Sequence, residues 1–195
     1  MNPAPRLCVM LSGGGRTLLN LCDAIDAGDL HARVALVLAS RPCQGLVHAR
    51  ARGLDARLMP GDIPVDDLNT LLRAHTIDWV ILAGYLRHVR IPHAYRGRVV
   101  NIHPALLPKF GGQGMHGRHV HEAVLAARES ESGCTVHLCT DEYDQGPILL
   151  QLRCPVLPDD TPDTLASRVF ELECRAYPAA LASLFADHPN PPSTG

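Results

Sequence analysis

An asparagine and a histidine two residues apart are the side chains in this sequence best suited to chemistry. Asn101 and His103 lie in the segment VVNIHPALLPKF, residues 99–110, where a short apolar run meets a proline. Side chains two apart in a strand point to the same side, so an amide donor and a titratable base would share one face. Because Pro104 cannot continue a central strand, we expect the imidazole at an exposed strand tip, where open α/β sheets bind ligands. A turn-capping asparagine beside an ordinary strand-end histidine is the plainer alternative.

Three carboxylates follow a second strand-like segment. Residues 132–139 alternate like a strand, and the loop TDEYDQGP then ends at a Gly-Pro pair. Asp141, Glu142 and Asp144 in this loop are most simply interpreted as solvated charges. A carboxylate beside an imidazole, however, raises the pKa of the imidazole and fixes its orientation, as a histidine that carries protons near neutral pH requires.

A glycine-rich turn follows the first predicted strand. Residues 6–11 form a buried-strand pattern, and SGGGRTLLNL then leads into a helix. Gly14 and Gly15 would let an anion approach the backbone at the positive end of that helix, where Arg16 or Thr17 would donate further hydrogen bonds. A plain strand-to-helix connection is the alternative. The segment lacks both the Gly-Lys-Ser/Thr of a Walker loop and G-x-G-x-x-G, which argues against ATP and dinucleotides.

Two longer segments carry a family resemblance. NIHPALLPKF at residues 101–110 and CTVHLCTDEYDQGPILLQ at residues 134–151 together resemble the signature of the folate-dependent formyltransferases. The resemblance extends over residues 7–185 and is strongest to the members that formylate glycinamide ribonucleotide in purine biosynthesis. It implies 10-formyltetrahydrofolate as co-substrate, no metal, and a catalytic set of Asn101, His103 and Asp144.

The resemblance also implies two binding regions in one cleft. The ribonucleotide and its phosphate would contact Gly14, Gly15, Arg16, Thr17 and Glu173, although the family often has Ser-Asn in place of the Arg-Thr pair. The folate would contact Leu86, Arg87, His88, Val89, Asn101, Thr140, Asp141, Glu142 and Tyr143. The family often has a substrate-binding arginine where this chain has none between residues 61 and 72. From the residues alone, Arg87 would be interpreted as a surface charge, whereas for Glu173 a surface charge on the helix and a contact with the ribonucleotide are equally open.

Three histidines lie in the glycine-rich loop and helix of residues 111–127. They are His116, His119 and His121, and we expect no metal there because no cysteine or acidic residue stands at a ligand spacing. The glycines predict a mobile loop beside the acceptor, with Met115 or His116 in contact with the ribonucleotide.

Other functions remain open from the sequence. The same donor could serve a nucleotide sugar, or Met-tRNA if an RNA-binding domain were present. The same residues could hydrolyse 10-formyltetrahydrofolate with water, although the related hydrolases generally carry an extra N-terminal domain. A non-catalytic folate-binding or nucleotide-binding module would not need the set of Asn101, His103 and Asp144.

Length and pattern indicate a single formyltransferase domain over residues 1–195, with a core at about residues 6–186. Alternating strand and helix patterns predict an α/β, Rossmann-like fold, in which helices cover both faces of a mostly parallel twisted sheet. We expect residues 187–195, which are polar and rich in proline, to form a disordered tail.

Composition restricts the partners to small molecules. A net charge of -2 without a basic run argues against nucleic acid, and the lack of a long apolar segment argues against a membrane span. Seven scattered cysteines and an N-terminus without a signal-peptide pattern indicate the cytoplasm. We expect a monomer or a weak homodimer.

Overall fold

Short runs rich in valine and leucine form the strands, as expected for a sheet that is buried on both faces. The computed structural model describes residues 3–188, and their seven strands are β1 (Arg6–Leu11), β2 (Arg33–Ala39), β3 (Ala56–Leu58), β4 (Trp79–Leu82), β5 (Val99–His103), β6 (Glu131–Leu138) and β7 (Ile148–Pro155). The helices are α1 (Arg16–Asp26), α2 (Gln44–Ala51), α3 (Val65–Ala74), α4 (Arg118–Ala126) and α5 (Pro162–Asp187), with a short 3-10 helix at His93–Tyr95.

The strands form one sheet in the order β3-β2-β1-β4-β5-β6-β7. The pairs from β3 to β5 are parallel, whereas β6 pairs antiparallel with both β5 and β7. The chain builds outward from β1 to β3 and then crosses back to β4, so its direction of growth reverses between β1 and β4. The predicted Rossmann-like, mostly parallel sheet is therefore confirmed, and this reversal is where such sheets bind ligands.

Apolar helix stripes cover both faces of the sheet. On one face, Leu18 of α1 and Leu165 of α5 belong to a large buried cluster that also includes residues of α2 and α4. On the other face, Leu68 and Leu72 of α3 pack in a second, smaller cluster. The buried residues of α1 (Leu18, Leu21 and Cys22) and of α3 (Leu68 and Leu72) follow the i, i+3, i+4 spacing expected of amphipathic helices.

Helix α5 anchors two central strands of the sheet. Its first turn is capped by Thr161, whose side chain accepts a hydrogen bond from the backbone of Thr164. The hydroxyl of Tyr177 lies 3.0 Å from the carbonyl oxygens of Leu82 in β4 and Val100 in β5, to either of which it can donate. The helix thus fixes the two strands that lead into the cleft.

The predicted start of the disordered tail is wrong by at least one residue. Helix α5 continues to Asp187 because Leu184 and Phe185 are still buried in its last turns. The ring of Phe185 lies 5.5 Å from that of Trp79, which explains why the helix remains ordered there. The rest of the predicted tail, residues 189–195, lies outside the described residues.

Candidate active site

A cleft of about 700 Å³ opens beyond the carboxyl ends of β1, β4 and β5. Its volume suits small-molecule ligands. Two hydrogen bonds hold the loops at its base together: the backbone N–H of Ser12 donates to the carbonyl of Gly84 at 3.0 Å, and that of Leu86 donates to Ser12 Oγ at 2.9 Å. The loops after β1 and β4 diverge from this point, since the chain leaves the two strands in opposite directions.

Strands β5 and β6 place two polar side chains opposite each other. Asn101 pairs with His137 in the antiparallel register, and Asn101 Nδ2 lies 3.2 Å from His137 Nε2. His137 Nδ1 lies 3.0 Å from the carbonyl oxygen of Leu138. Because that oxygen can only accept, Nδ1 carries the proton and Nε2 accepts from the amide. The other amide proton of Asn101 makes a long contact of 3.4 Å with Asp144 Oδ1, so a ligand oxygen can take it at little cost.

His103 is buried rather than exposed at the strand tip as predicted. Its exposed fraction is 3%, because the chain after Pro104 folds back and brings the carbonyl oxygen of Phe110 to 2.7 Å from His103 Nε2. Since the carbonyl only accepts, Nε2 carries the proton, and Nδ1 of the neutral ring carries a lone pair. This Nδ1 lies 3.6 Å from Asp144 Oδ2.

Burial decides the charge of that imidazole. It lowers the pKa of His103, and the opposing influences of Asp144 and of the Phe110 carbonyl are smaller, so the pKa is lowered overall. The prediction that Asp144 would raise the pKa of His103 is right for the direction of that one contact and wrong for the net shift. His103 is therefore neutral near pH 7.

Asp144 stays ionised beside this neutral ring. Burial alone would raise its pKa, but the contacts around the carboxylate, including the backbone N–H of Gly112, lower it overall. That N–H donates to Asp144 Oδ2 at 2.9 Å. The backbone of Asp144 has φ +52°, a left-handed conformation that aspartate tolerates better than most residues. The structure thus brings together the three side chains of the predicted catalytic set.

The glycine-rich turn contributes to the cleft through its last residues. Arg16 and Thr17 line the cleft, whereas Gly14 and Gly15 are absent from its wall. Gly15 has φ +77°, and a Cβ atom there would lie 2.5 Å from the Cα of Gly45 in α2. Glycine at position 15 is therefore required by backbone conformation and packing.

Arg16 and Glu173 face the same end of the cleft. The guanidinium carbon of Arg16 lies 3.6 Å from the centre of the Phe170 ring, a cation–π contact that orients the cation. Burial raises the pKa of Glu173 to about 7, and the charge of Arg16 opposes that rise. The interpretation of Glu173 as a simple surface charge is wrong, because its side chain lines the cleft.

The opposite end of the cleft has two walls. The residues after β4 and those after β6 face each other there, and they are Leu86, Arg87, His88, Val89, Thr140, Glu142 and Tyr143. The rings of His88 and Tyr143 lie 5.0 Å apart and join the walls. Asp141 is the exception among the predicted folate contacts, since it does not line the cleft and its carboxylate lies 3.4 Å from Arg96.

A cavity of about 240 Å³ adjoins this end and shares Leu86 and Arg87 with the cleft. Arg41, in the loop between β2 and α2, also lines it. Arg41 therefore brings a second positive charge, besides that of Arg87, to this end of the cleft. Residues 61–72, where the family often has a substrate-binding arginine, contain none.

The model of the formyl transferase family matches residues 5–181. The chain belongs to the formyl transferase family. This assignment agrees with the position of the cleft at the point where the sheet reverses.

A plant and a bacterial relative match this formyl transferase over nearly the same number of residues. It is 38% identical over 182 residues to "Phosphoribosylglycinamide formyltransferase, chloroplastic" of Arabidopsis thaliana, covering 88% of this chain and 62% of the plant protein. It is 30% identical over 185 residues to "Phosphoribosylglycinamide formyltransferase" of Haemophilus influenzae, covering 90% of this chain and 85% of that one. The crystal structure of glycinamide ribonucleotide transformylase 1 from Symbiobacterium toebii superimposes with a TM-score of 0.87 at 37% identity, covering 96% of this chain and 90% of that chain. The chain spans 62% and 60% of the lengths of two plant relatives.

Sequence reasoning missed three contributors to the site of this formyl transferase. His137 orients the Asn101 amide, the Phe110 carbonyl fixes the tautomer of His103, and the Phe170 ring stacks against the guanidinium of Arg16. The signal for His137 was present, because it is a polar residue in the apolar strand pattern CTVHLC. The contact of the Phe110 carbonyl has no signature in side-chain types.

Two further findings concern residues 3–188. No group of three or more histidine, cysteine, aspartate or glutamate side chains in this range is arranged to hold a metal ion. None of the helices in the range is both long and apolar enough to cross a membrane.

Proposed function

We propose that this chain is a phosphoribosylglycinamide formyltransferase, which transfers the formyl group of 10-formyltetrahydrofolate to the amine of glycinamide ribonucleotide. The observation that carries the proposal is the meeting of Asn101, His103 and Asp144 at the middle of one cleft whose two ends differ in character. The names of the plant and bacterial relatives support this choice of acceptor.

The two ends of the cleft suit the two substrates. Arg16 and Thr17 at the start of α1 supply a cation and helix-end N–H groups for the ribonucleotide phosphate, and Glu173 can accept hydrogen bonds from ribose hydroxyls. The walls that contain Leu86 and Tyr143 would enclose the pterin of the folate. Holding an amine and a formyl donor side by side can contribute the equivalent of about 10⁵ M or more in effective concentration.

Attack of the amine on the formyl carbon places negative charge on the formyl oxygen. The Asn101 proton that makes only the 3.4 Å contact is free to stabilise this oxygen. His137 holds the amide in the orientation that this requires, because its Nε2 takes the other proton. A comparable donor to an oxyanion contributes roughly 10² to 10³ in rate.

The proton lost by the amine has a defined acceptor. Nδ1 of neutral His103 takes it, and the imidazolium then lies 3.6 Å from the ionised Asp144. When the bond between the formyl carbon and the folate nitrogen breaks, the same proton passes to that nitrogen. Bonds and protons thus balance, since one C–N bond forms, one breaks, and one proton moves from the acceptor to the folate. General acid and base catalysis of this kind contributes about 10² to 10⁴.

The proposal includes a cytoplasmic location. All seven cysteines are free, and most of them are buried, which fits a compartment that keeps thiols reduced.

The test is a reaction of purified protein with both substrates. Mass spectrometry follows the formylated ribonucleotide, and absorbance follows the folate. We expect one formylated product for each folate consumed and a stable folate when the amine is omitted. Equal folate turnover without the amine would indicate a hydrolase, and product only with an amino-sugar nucleotide would indicate a different acceptor; either result contradicts the proposal.

A further inference from the structure

Helix α4 places in the cleft a histidine that the reaction above does not use. His121 is only 4% exposed, yet it lines the cleft. Its Nδ1 atom is buried and has no hydrogen-bond partner among residues 3–188. Buried polar atoms are nearly always paired, because an unpaired one has lost its water without replacement. An apolar residue at this position would avoid that loss, so the imidazole calls for an explanation beyond packing.

The position of His121 in the fold indicates which substrate it meets. Val120 and Val124 on the same helix are buried in the core, which holds this face of α4 against the protein. Helix α4 packs on α5, the helix that carries Phe170 and Glu173 at the phosphate end of the cleft. His121 therefore lies on the acceptor side, away from the walls proposed for the folate.

The chemistry of the ring narrows the group that it meets. Burial, and to a smaller extent the nearby His103, lower the pKa of His121, so the ring is neutral near pH 7. A neutral imidazole has one donor and one acceptor, which suits an amide or a hydroxyl. The phosphate already has a permanent cation at this end, because Arg16 lies there.

We propose that His121 binds the acceptor ribonucleotide through a hydrogen bond to an amide or hydroxyl group located between the reacting amine and the phosphate. This inference rests on the proposed function, and it makes His121 a determinant of acceptor affinity. The unpaired nitrogen is then a cost that the free protein carries and that the bound acceptor relieves.

The test compares His121→Leu and His121→Asn with the wild-type protein. Leucine removes both polar atoms, whereas asparagine keeps a polar group near the position of Nδ1. We expect His121→Leu to melt at a higher temperature than the wild type, because an unpaired buried atom is gone. We also expect it to raise the KM for glycinamide ribonucleotide about five- to hundredfold, with the KM for the folate unchanged. His121→Asn should recover part of the acceptor affinity.

The control is His119→Leu, which removes an exposed imidazole from the same helix outside the cleft. It should leave both KM values unchanged. An acceptor KM within twofold of wild type in folded His121→Leu overturns the inference, as does an equal rise in both KM values. If leucine prevents folding, the acceptor KM values of His121→Asn and His121→Gln decide the question. Asparagine, which keeps a polar group near the position of Nδ1, should have the lower acceptor KM of the two. A packing role predicts no change in the acceptor KM of either variant, and that result would overturn the inference. Inactive wild-type protein would instead contradict the proposed function, so failure of the inference about His121 and failure of the proposed function are distinguishable.

Discussion

The sharpest perturbation of this site is Asp144→Asn. It removes the charge beside His103 and keeps the size of the side chain. Asparagine tolerates the left-handed backbone of this position at φ +52°, and its carbonyl oxygen can still accept from the N–H of Gly112. The change removes the charge and, because an NH2 group then stands in place of Oδ1, also the long 3.4 Å contact with the Asn101 amide.

The distance in the structure sets the size of the effect. In the proposed reaction His103 becomes an imidazolium 3.6 Å from Asp144 Oδ2. Two unit charges at that distance attract by about 1 kcal/mol in water and about 5 kcal/mol at the effective dielectric of 20 that suits protein sites. We therefore expect kcat to fall roughly 10- to 10³-fold in the variant.

The direction of the pH dependence follows from the same contact. Activity requires neutral His103, so the rate falls on the acidic side as this ring takes a proton. Asp144 raises the pKa of His103 against the larger effect of burial. Its removal leaves burial opposed only by the Phe110 carbonyl, and the pKa of His103 falls further. The acidic limb of the kcat profile should move to lower pH.

Two measurements check this expectation. The pH profile of kcat is recorded with both substrates saturating, and the imidazole resonances of His103 are titrated by NMR in the free protein. Asp26→Asn, which removes an exposed carboxylate paired with Arg52, is the matched control and should change neither. A His103 titration that is the same in Asp144→Asn and in wild-type protein would refute the coupling on which the mechanism depends.

Two further predictions concern stability. The pKa of the Glu173 carboxyl is raised from 4.5 in the unfolded chain to about 7 in the folded protein. The stability of the wild-type protein therefore falls as the pH rises from about 4.5 to beyond 7, and Glu173→Gln should raise the melting temperature more at pH 8 than at pH 5. Gly15→Ala would place a Cβ atom 2.5 Å from the Cα of Gly45 at φ +77° and should cost about 1 to 3 kcal/mol in urea unfolding, while Gly14→Ala, with nothing within 4 Å, should cost much less. Equal costs for the two alanines would contradict the packing role of Gly15.

The local signals in the sequence were sufficient for most of the fold. Strands β1 and β5 end at the predicted residues, Leu11 and His103, because glycine and proline follow the apolar runs there. Helix α5 begins after Thr161, where a capping residue precedes a proline. These signals depend on a few neighbouring residues, and such features are legible without knowledge of the rest of the chain.

The parts of the site that depend on distant segments were harder to predict. The pairing of Asn101 with His137 is a matter of strand register, and a shift by one residue would have pointed His137 to the other face. The burial of His103 depends on where the chain returns after Pro104. Asp144 was selected as its partner by family resemblance, since the loop itself contains three candidates.

The charge states of His103 and Asp144 before the reaction explain why these two residues suit catalysis better than a permanent salt bridge would. If the contact had outweighed burial, the resting site would contain an ion pair, and His103 would have no free lone pair for the amine proton. Because burial has the larger effect, the resting ring is neutral and the carboxylate is ionised. The attraction between opposite charges then appears only once the proton has moved. An interaction that is stronger in the transition state than in the ground state raises kcat, whereas an ion pair already present in the free protein would add nothing to the rate.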